Sequence, residues 1–480
     1  MKKWKLGLNV IAISLLMSTH VFAANVVNLF VNGEHIETSV SSKIENGRTL
    51  VPLRAIAEAL GAEVSWNQEN QTIKLAEDSK NIELKIGKKT ALVNGESVSL
   101  EIAPKVESGT TLVPVRFVAE NLDSDVKWNE KESAVNINDS MPIGKADLDY
   151  ATKFEIEYLG NGNKKIKDSL EQEFLLVPNG NQIPDGYENL KVIRTPMKNV
   201  MAGSTTQVSM LNALGSMDVV TGVTNPAEVW TIEEMKNKIL EGKVSNVGNG
   251  MSINFESLEL LKPELILMTS AWDDKAKYDE LGYKYIGCFD YEENRAFGRL
   301  ETVKFWGALL NKDKAAMKYY DEQVEKLEHL KQRIDGIENR KKIAWGAYST
   351  YSKTYNIAPG ESYVAEMIDL AGGDYLGKAI TKDQKNVSAE EYYLKFKDAE
   401  IMISSSMPQY GGPDSIKSLV EETPLLENAK FVKENNAWYQ APNFYQDLAH
   451  TYDYIEDLAM MFYPELFETQ DINHFVKMKK

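Results

Sequence analysis

The pattern of apolar and polar positions divides the chain near residue 140. Before that point, alternating segments such as residues 63–66 and 72–75 predict strands that bury one face. From about residue 190, short and wholly apolar runs alternate with helical spacing, which predicts parallel sheets covered on both faces. These runs are residues 219–223, 265–268, 342–345 and 401–403.

Two further segments complete the predicted elements. Residues 154–159 and 174–177 read as strands, and the sequence Gly-Asn-Gly-Asn at 160–163 predicts a turn after the first of them. Apolar residues recur at helical spacing over residues 300–334, which predicts one long helix. We therefore expect an α/β fold with two doubly wound lobes joined by one long helix, preceded by an α+β module.

The N-terminal module carries an internal duplication. Val31-Asn32-Gly33 recurs at residues 93–95, Leu50-Val51-Pro52 at residues 112–114, and Trp66-Asn67 at residues 128–129. Each copy lies 62 residues after the first. One shared offset across three separate motifs indicates a repeated structural unit.

Both repeats, over residues 25–138, resemble the copper amine oxidase N-terminal domain, also called a stalk domain. The resemblance implies a non-catalytic appendage, which in some members is associated with cell-wall contact. It implies no copper here, because the histidines of the chain form no cluster along the sequence: they are His20, His35, His329, His450 and His474.

Five segments of the second half occur in an order that resembles the binding proteins of ABC importers for iron-siderophores, haem and cobalamin. They are residues 211–223, 247–267, 366–374, 387–403 and 435–467. The resemblance implies a protein that holds a small molecule between two lobes and delivers it to an importer permease. It implies no cofactor of the protein's own, although the bound ligand can carry iron or cobalt.

The loops that follow the parallel strands are the expected ligand site, since ligands of open α/β sheets bind beyond the carboxyl ends of the strands. These loops are rich in aromatic and sulfur side chains, which suit large flat ligands. Arg295 offers a partner for an anionic chelate. The predicted ligand contacts are Trp230, Met251, Trp272, Arg295, Tyr348, Tyr351, Tyr355, Tyr410, Phe444 and Tyr445.

Glu256 and Glu390 stand at matching places in the two lobes, each at the start of a predicted helix. One interpretation is helix capping, since Ser388 and Glu391 fit a capping box. The resemblance implies a second role, in which each glutamate docks one lobe on the permease. The two roles are compatible.

The N-terminus and the composition indicate an exported protein. Lys2, Lys3 and Lys5 precede an apolar stretch, and Val21-Phe22-Ala23 fits a cleavage site, so residues 1–24 read as a signal peptide. The only cysteine is Cys288, which argues against a lipidated N-terminus; we expect a soluble extracellular or cell-envelope protein that is not a lipoprotein. A net charge of −17 argues against nucleic-acid binding.

The predicted domains are the module at residues 25–138, a linker and lead-in hairpin at 139–190, an N-lobe at 191–299, the helix at 300–334 and a C-lobe at 335–480. An enzyme is not expected, because the chain lacks Gly-x-Ser-x-Gly, phosphate-loop and His-Glu-x-x-His motifs. The alternative function is a cell-surface or wall-binding protein in which residues 25–138 are the working part.

Overall fold

The computed structural model describes residues 27–77, 79–250, 252–270 and 273–480. These residues form a β-rich N-terminal module, a mixed sheet and two α/β lobes. The predicted signal peptide at residues 1–24 lies outside the described residues. Within them, no helix is both long enough and apolar enough to cross a membrane.

The N-terminal module contains three antiparallel or mixed sheets and two short helices. The helices are Leu53–Ala59 and Val115–Asn121. The strands are Asn28–Val31, Glu34–His35, Lys43–Glu45, Arg48–Pro52, Glu63–Asn67, Thr72–Glu77, Lys80–Lys85, Thr90–Val93, Glu96–Ser99, Lys105–Glu107, Thr110–Pro114, Ser124–Asn129 and Ala134–Asp139.

The two repeats face each other across a local twofold axis. Val51 pairs with Val113 in antiparallel strands, so the same motif meets its own copy. Two ion pairs repeat this symmetry, one between Lys43 and Glu107 and the other between Lys105 and Glu45. The strand Asn28–Val31 then pairs with Ala134–Asp139, which closes the module by joining its first strand to its last. The predicted duplication is therefore a single interlocked module.

A five-stranded sheet connects the module to the lobes. Its strands are Gly144–Lys145, Glu155–Gly160, Asn163–Lys167, Glu173–Pro178 and Lys191–Thr195. The hairpin predicted in this segment is present. Phe154, Ile156 and Phe174 pack into the same hydrophobic core as the lobes, so residues 139–190 form part of the body of the protein.

The N-lobe contains a five-stranded parallel sheet. Its strands, in spatial order, are Ser245–Asn246, Val220–Val223, Val200–Ala202, Leu265–Leu267 and Tyr285–Ile286. Helices cover the sheet as the alternating pattern predicts. They are Thr205–Ala213, Glu233–Leu240, Phe255–Leu261 and Lys275–Leu281.

The C-lobe is a mixed sheet built around parallel strands. Its strands are Asn386–Val387, Thr354–Ile357, Lys342–Ser349, Ile401–Ser404, Ala437–Gln440 and Phe475–Lys477, with Asp374–Tyr375 paired to the start of Lys342–Ser349. Its helices are Tyr363–Leu370, Ala389–Phe396, Ile416–Glu422, Lys430–Lys433 and Thr451–Phe462. The parallel strands predicted from residues 342–345 and 401–403 are both confirmed.

The long helix predicted over residues 300–334 is two helices, Ala296–Leu310 and Asp313–Arg333. Asn311 adopts a left-handed conformation (φ 53°) that ends the first helix. The second helix folds back along the first, with the rings of Phe297 and Tyr320 only 6.3 Å apart. The helix that leads into the C-lobe therefore starts at Asp313, and residues 300–310 belong to a separate helix.

Buried asparagines fix the N-terminal module to the body. The side-chain amides of Asn129 and Asn136 donate to the carbonyl of Gly180 at 2.7 and 3.1 Å. Asn181 donates to the carbonyl of Asn161 at 2.7 Å within the same contact. A Cβ at Gly180 would come within 2.3 Å of Asn136 Oδ1, which leaves no room for a larger residue. The module is therefore closely packed on the body.

Candidate functional site

A cavity of about 600 Å³ lies between the two lobes. Its N-lobe wall comes from residues 291–294, with Lys153 of the connecting sheet. Its C-lobe wall comes from the carboxyl ends of parallel strands and from the loops beyond them, as this class of fold predicts. The C-lobe lining residues are Trp345, Asn356, Ile357, Ala358, Pro359, Glu361, Ser362, Tyr363, Val364, Lys382, Lys385, Ser405, Gln440 and Tyr445.

Three tyrosines offer partly exposed rings to this cavity. They are Tyr291 on the N-lobe side and Tyr363 and Tyr445 on the C-lobe side. Burial raises the pKa of Tyr445 to about 12, and its protonated hydroxyl donates to the side-chain oxygen of Gln440 at 3.3 Å. Three lysines, Lys153, Lys382 and Lys385, add positive charge around the rings. The cavity therefore combines aromatic surface with cationic hydrogen-bond donors.

Among the aromatic residues that were predicted as ligand contacts and that the structure describes, Tyr445 alone lines this cavity. Trp230, Tyr355 and Phe444 are buried in the protein core. Tyr355 stacks on Tyr392 with ring centroids 3.8 Å apart and donates its hydroxyl to Thr423. These three side chains therefore pack the lobes and have little or no surface open to a ligand.

Apart from Arg295, the other predicted contacts divide into three groups. Tyr351 and Tyr410 are highly exposed on the C-lobe surface and do not line the cavity. Tyr348 is half-buried beside Tyr355, with ring centroids 5.3 Å apart. Met251 and Trp272 lie outside the described residues.

Arg295 joins the two lobes. Its guanidinium forms an ion pair with Glu366 of the C-lobe and lies 4.8 Å from the centre of the Tyr150 ring. The backbone amide of Ala296 donates to the same carboxylate at 2.5 Å. Arg295 is therefore already neutralised by a protein carboxylate rather than free to meet an anionic ligand.

Arg299, one turn further along the same helix, positions a cavity residue. It is buried, pairs with Asp290 at 2.6 Å and stacks on the Tyr363 ring at 4.1 Å from its centre. A desolvated cation over an aromatic ring is held strongly in place. Arg299 thus fixes the orientation of Tyr363 at the cavity wall.

Direct contacts also join the lobes beside the cavity. The side chain of Gln446 accepts from the amide of Thr231 at 2.8 Å and donates to the carbonyl of Val229 at 2.7 Å. Lys382 donates to Asn294 at 3.0 Å across the cavity mouth. The described conformation is therefore one in which the lobes already touch.

A histidine–carboxylate network lies behind the loop that carries Tyr445 and Gln446. The ring of His474 donates to Asp457 at 2.8 Å and to Asp447 at 3.0 Å, and Asp447 also pairs with His450. Burial alone lowers the pKa of His474, but the hydrogen bonds to both carboxylates outweigh it and raise the pKa to about 9. The charged imidazole therefore ties this loop to the C-terminal strand.

Sequence reasoning missed Trp345, Tyr363 and the three lysines. Trp345 ends an apolar run and reads as core, and it is indeed mostly buried. Tyr363 begins a helix whose apolar spacing hides its role. The lysines lie far apart in sequence, so no local pattern brings them together. The only usable signal is the position of Trp345 at the carboxyl end of a parallel strand.

The two glutamates predicted to dock the permease lie on the surface, at the starts of Phe255–Leu261 and Ala389–Phe396. Other side chains cap both helices. Asn254 accepts from Ser257 at 3.0 Å in the first, and Ser388 and Glu391 form the predicted capping box in the second. Glu256 and Glu390 have no hydrogen-bond or ion-pair partner among the described residues.

Comparison with known families defines the class of protein. Residues 200–441 match the periplasmic binding protein family, and the chain belongs to it. Residues 30–137 match the copper amine oxidase N-terminal domain, so this domain is also present. The fold class and both resemblances seen in the sequence are confirmed.

Individual relatives cover different parts of the chain. An uncharacterized lipoprotein of Methanocaldococcus jannaschii is 27% identical over 387 residues, or 72% of this chain and 91% of the relative. The high-affinity heme uptake system protein IsdE of Staphylococcus aureus is 24% identical over 41% of this chain and 65% of its own length. A periplasmic heme binding protein from Pseudomonas aeruginosa aligns with 59% of this chain and 99% of its own, at 13% identity and a TM-score of 0.47.

Proposed function

We propose that this chain is an exported solute-binding protein that captures a small molecule in the interlobe cavity and delivers it to an ABC importer. The proposed ligand is a metal chelate, such as an iron-siderophore, haem or cobalamin. The protein itself performs no chemistry and holds no cofactor of its own. Membership of the periplasmic binding protein family supports the binding role.

The cavity between the lobes is the observation that carries this proposal. Its volume of about 600 Å³ falls within the range of roughly 300–1,000 Å³ typical of small-molecule sites. Tyrosine rings can bury the flat faces of a large ligand, and lysines can neutralise an anionic edge. A chelate with apolar faces and acidic groups suits both features.

The first test identifies the ligand and the side chains that hold it. Native mass spectrometry and an absorbance scan of protein purified from its natural host should reveal a retained small molecule with a metal or a chromophore. The Tyr363→Ala/Tyr445→Ala variant should lose at least tenfold in affinity for that molecule, or about 1.4 kcal/mol. Tyr351→Ala, at an equally aromatic but fully exposed site, is the control and should bind normally.

Docking on the importer is proposed to use Glu256 and Glu390. Their lack of partners in the described structure leaves both carboxylates free to pair with arginines or lysines of the permease. The Glu256→Ala/Glu390→Ala variant should bind ligand normally and lose uptake. Uptake at the unsubstituted rate would leave these residues without a docking role.

A groove in the N-terminal module favours wall binding as a second candidate function. A cavity of about 490 Å³ there is lined by the exposed ring of Trp128 and by the ion pair between Arg48 and Glu101. Trp66 occupies the equivalent position of the other repeat with similar exposure. If the groove binds wall polymer, Trp128→Ala should reduce cosedimentation with purified cell walls several-fold more than Trp66→Ala.

A further inference from the structure

Two leucines are more exposed than any other leucine of the described residues. Leu260 is 87% exposed and Leu394 is 67% exposed. Each follows a proposed docking glutamate by four residues, Leu260 after Glu256 and Leu394 after Glu390. Residues four apart lie on the same face of a helix, so each lobe presents a carboxylate and an isobutyl group side by side.

The two helices occupy equivalent places in their lobes. Phe255–Leu261 is followed by the parallel strand Leu265–Leu267, and Ala389–Phe396 is followed by the parallel strand Ile401–Ser404. Each helix buries the residue two positions after its glutamate, Leu258 in one lobe and Tyr392 in the other. The exposed leucine therefore lies at the same position relative to the packed face in both helices.

Single exposed leucines are ordinary on protein surfaces and need no explanation. Leu240, at 66% exposure, is such a residue, because it lies at the end of its helix with no corresponding partner in the C-lobe. Leu260 and Leu394 differ from such isolated residues. Each lies beside a free carboxylate, and the two pairs occupy matching positions in two lobes of different sequence. This repetition indicates that both lobes present the same kind of contact surface.

We propose that each glutamate–leucine pair is one docking patch, and that the partner is a pair of like membrane subunits. Each subunit would offer a cation to the glutamate and an apolar pocket to the leucine. This inference rests on the proposed delivery to an ABC importer. It adds that burial of the leucine supplies apolar contact area, while the carboxylate sets orientation. Both patches are needed, because one lobe rests on each subunit.

The experiment uses the full chain in its natural host with a photocrosslinking amino acid in place of Lys395, an exposed residue next to Leu394. The readout is the yield of an adduct that mass spectrometry identifies as a membrane subunit of an ABC importer. Leu260→Ser/Leu394→Ser should lower this yield at least tenfold. Leu240→Ser, at a leucine with nearly the same exposure as Leu394, should leave this yield unchanged. Thermal unfolding should be the same for all variants, since none of these side chains is packed.

The outcomes separate this inference from the docking proposal. If Glu256→Gln/Glu390→Gln abolishes the adduct while the leucine variant keeps it, the leucines are not part of the patch and glutamate docking stands. If neither variant changes the yield, or if the unsubstituted surface gives no importer adduct, both ideas fail. An equal loss with Leu240→Ser would also overturn the leucine patch, because it would show a nonspecific effect.

Discussion

At the scale of single residues, His474 is held between two carboxylates behind the loop that carries Tyr445. Its two ring nitrogens face Asp447 and Asp457, and the ring of Tyr454 meets it edge-on at 4.3 Å. Asp447 is also paired with His450, and the hydrogen bonds from both histidines outweigh burial and lower its pKa. The network fixes the loop that carries Tyr445, so the charge state of His474 affects the position of this loop at the cavity.

The pKa of His474 predicts how stability depends on pH. Because its folded pKa of about 9 exceeds the ordinary value of 6.5, its contribution is complete below about pH 6.5 and is lost as the pH rises through 9. The free energy of unfolding should fall by about 1–3 kcal/mol across that interval. Denaturant titrations at several pH values would show this loss, and His474→Gln should remove most of it. His329→Gln, at an exposed histidine, should retain it.

At the residue scale, three of the predicted loops border the cavity, whereas most of the predicted side chains that the structure describes do not line it. The loops containing Tyr291, Ser405 and Tyr445 do border the cavity, because their positions follow from strand order. Tyr355 was expected in a loop, but Lys342–Ser349 continues into a hairpin with Thr354–Ile357. Alternation along that second strand turns Tyr355 inward. Sequence alone does not show how far a strand extends past the sheet edge.

At the scale of elements, the helical hairpin shows where periodicity misleads. Apolar spacing continues from Trp306 through Leu310 to Tyr320, so the break between the two helices leaves no gap in the apolar pattern. The signal that marks it is Asn311, a residue that tolerates the left-handed conformation, followed by Asp313 in the first turn of the next helix. Both helices remain apolar on the sides that face each other, which is why the spacing persists.

Close packing of this hairpin predicts the effect of one substitution. A Cβ at Gly307 would come within 2.5 Å of the Ala316 Cβ, so the helices approach more closely than a larger residue allows. Gly307→Val should destabilise the fold by about 1–3 kcal/mol through overpacking. In an Ala316→Gly background the same substitution should cost less, as measured by a double-mutant cycle in denaturant. An equal loss of unfolding free energy in both backgrounds would show that the contact between positions 307 and 316 does not limit the packing of the helices.

At the scale of the whole molecule, the N-terminal module is rigidly attached but remote from the interlobe cavity. The asparagine contacts around Gly180 hold it, and an ion pair from Lys198 to Glu34 at 2.6 Å adds to them. None of the module's described residues lines the cavity. The repeated motifs showed the duplication, yet they did not show this interface, because amide side chains carry no apolar pattern.

Deletion of the module should therefore lower the thermal stability of the protein and leave its ligand affinity nearly unchanged. A chain that begins near residue 140 should keep its ligand dissociation constant within about threefold, or under roughly 0.7 kcal/mol. Its thermal midpoint should fall, because Asn161 and Asn181 lose buried partners in the module or become solvent-exposed. Calorimetry with the ligand identified by native mass spectrometry measures both quantities. A tenfold loss of affinity would mean that the module shapes the cavity from a distance.

Ligand binding should change the relative position of the two lobes very little. One helix, Asp313–Arg333, carries the chain from the N-lobe side into the C-lobe, so the paired strand hinges that permit wide closure are not part of this connection. The lobes are also in contact already through Gln446, and Arg295 and Glu366 tie the start of the hairpin to the C-lobe. Small-angle scattering curves of the free and ligand-bound protein should nearly superimpose. The Gln446→Ala/Glu366→Ala variant should show a larger difference between the two states, because it removes contacts that hold the lobes together without ligand. A large compaction of the unsubstituted protein on binding would mean that these contacts form only in the closed state.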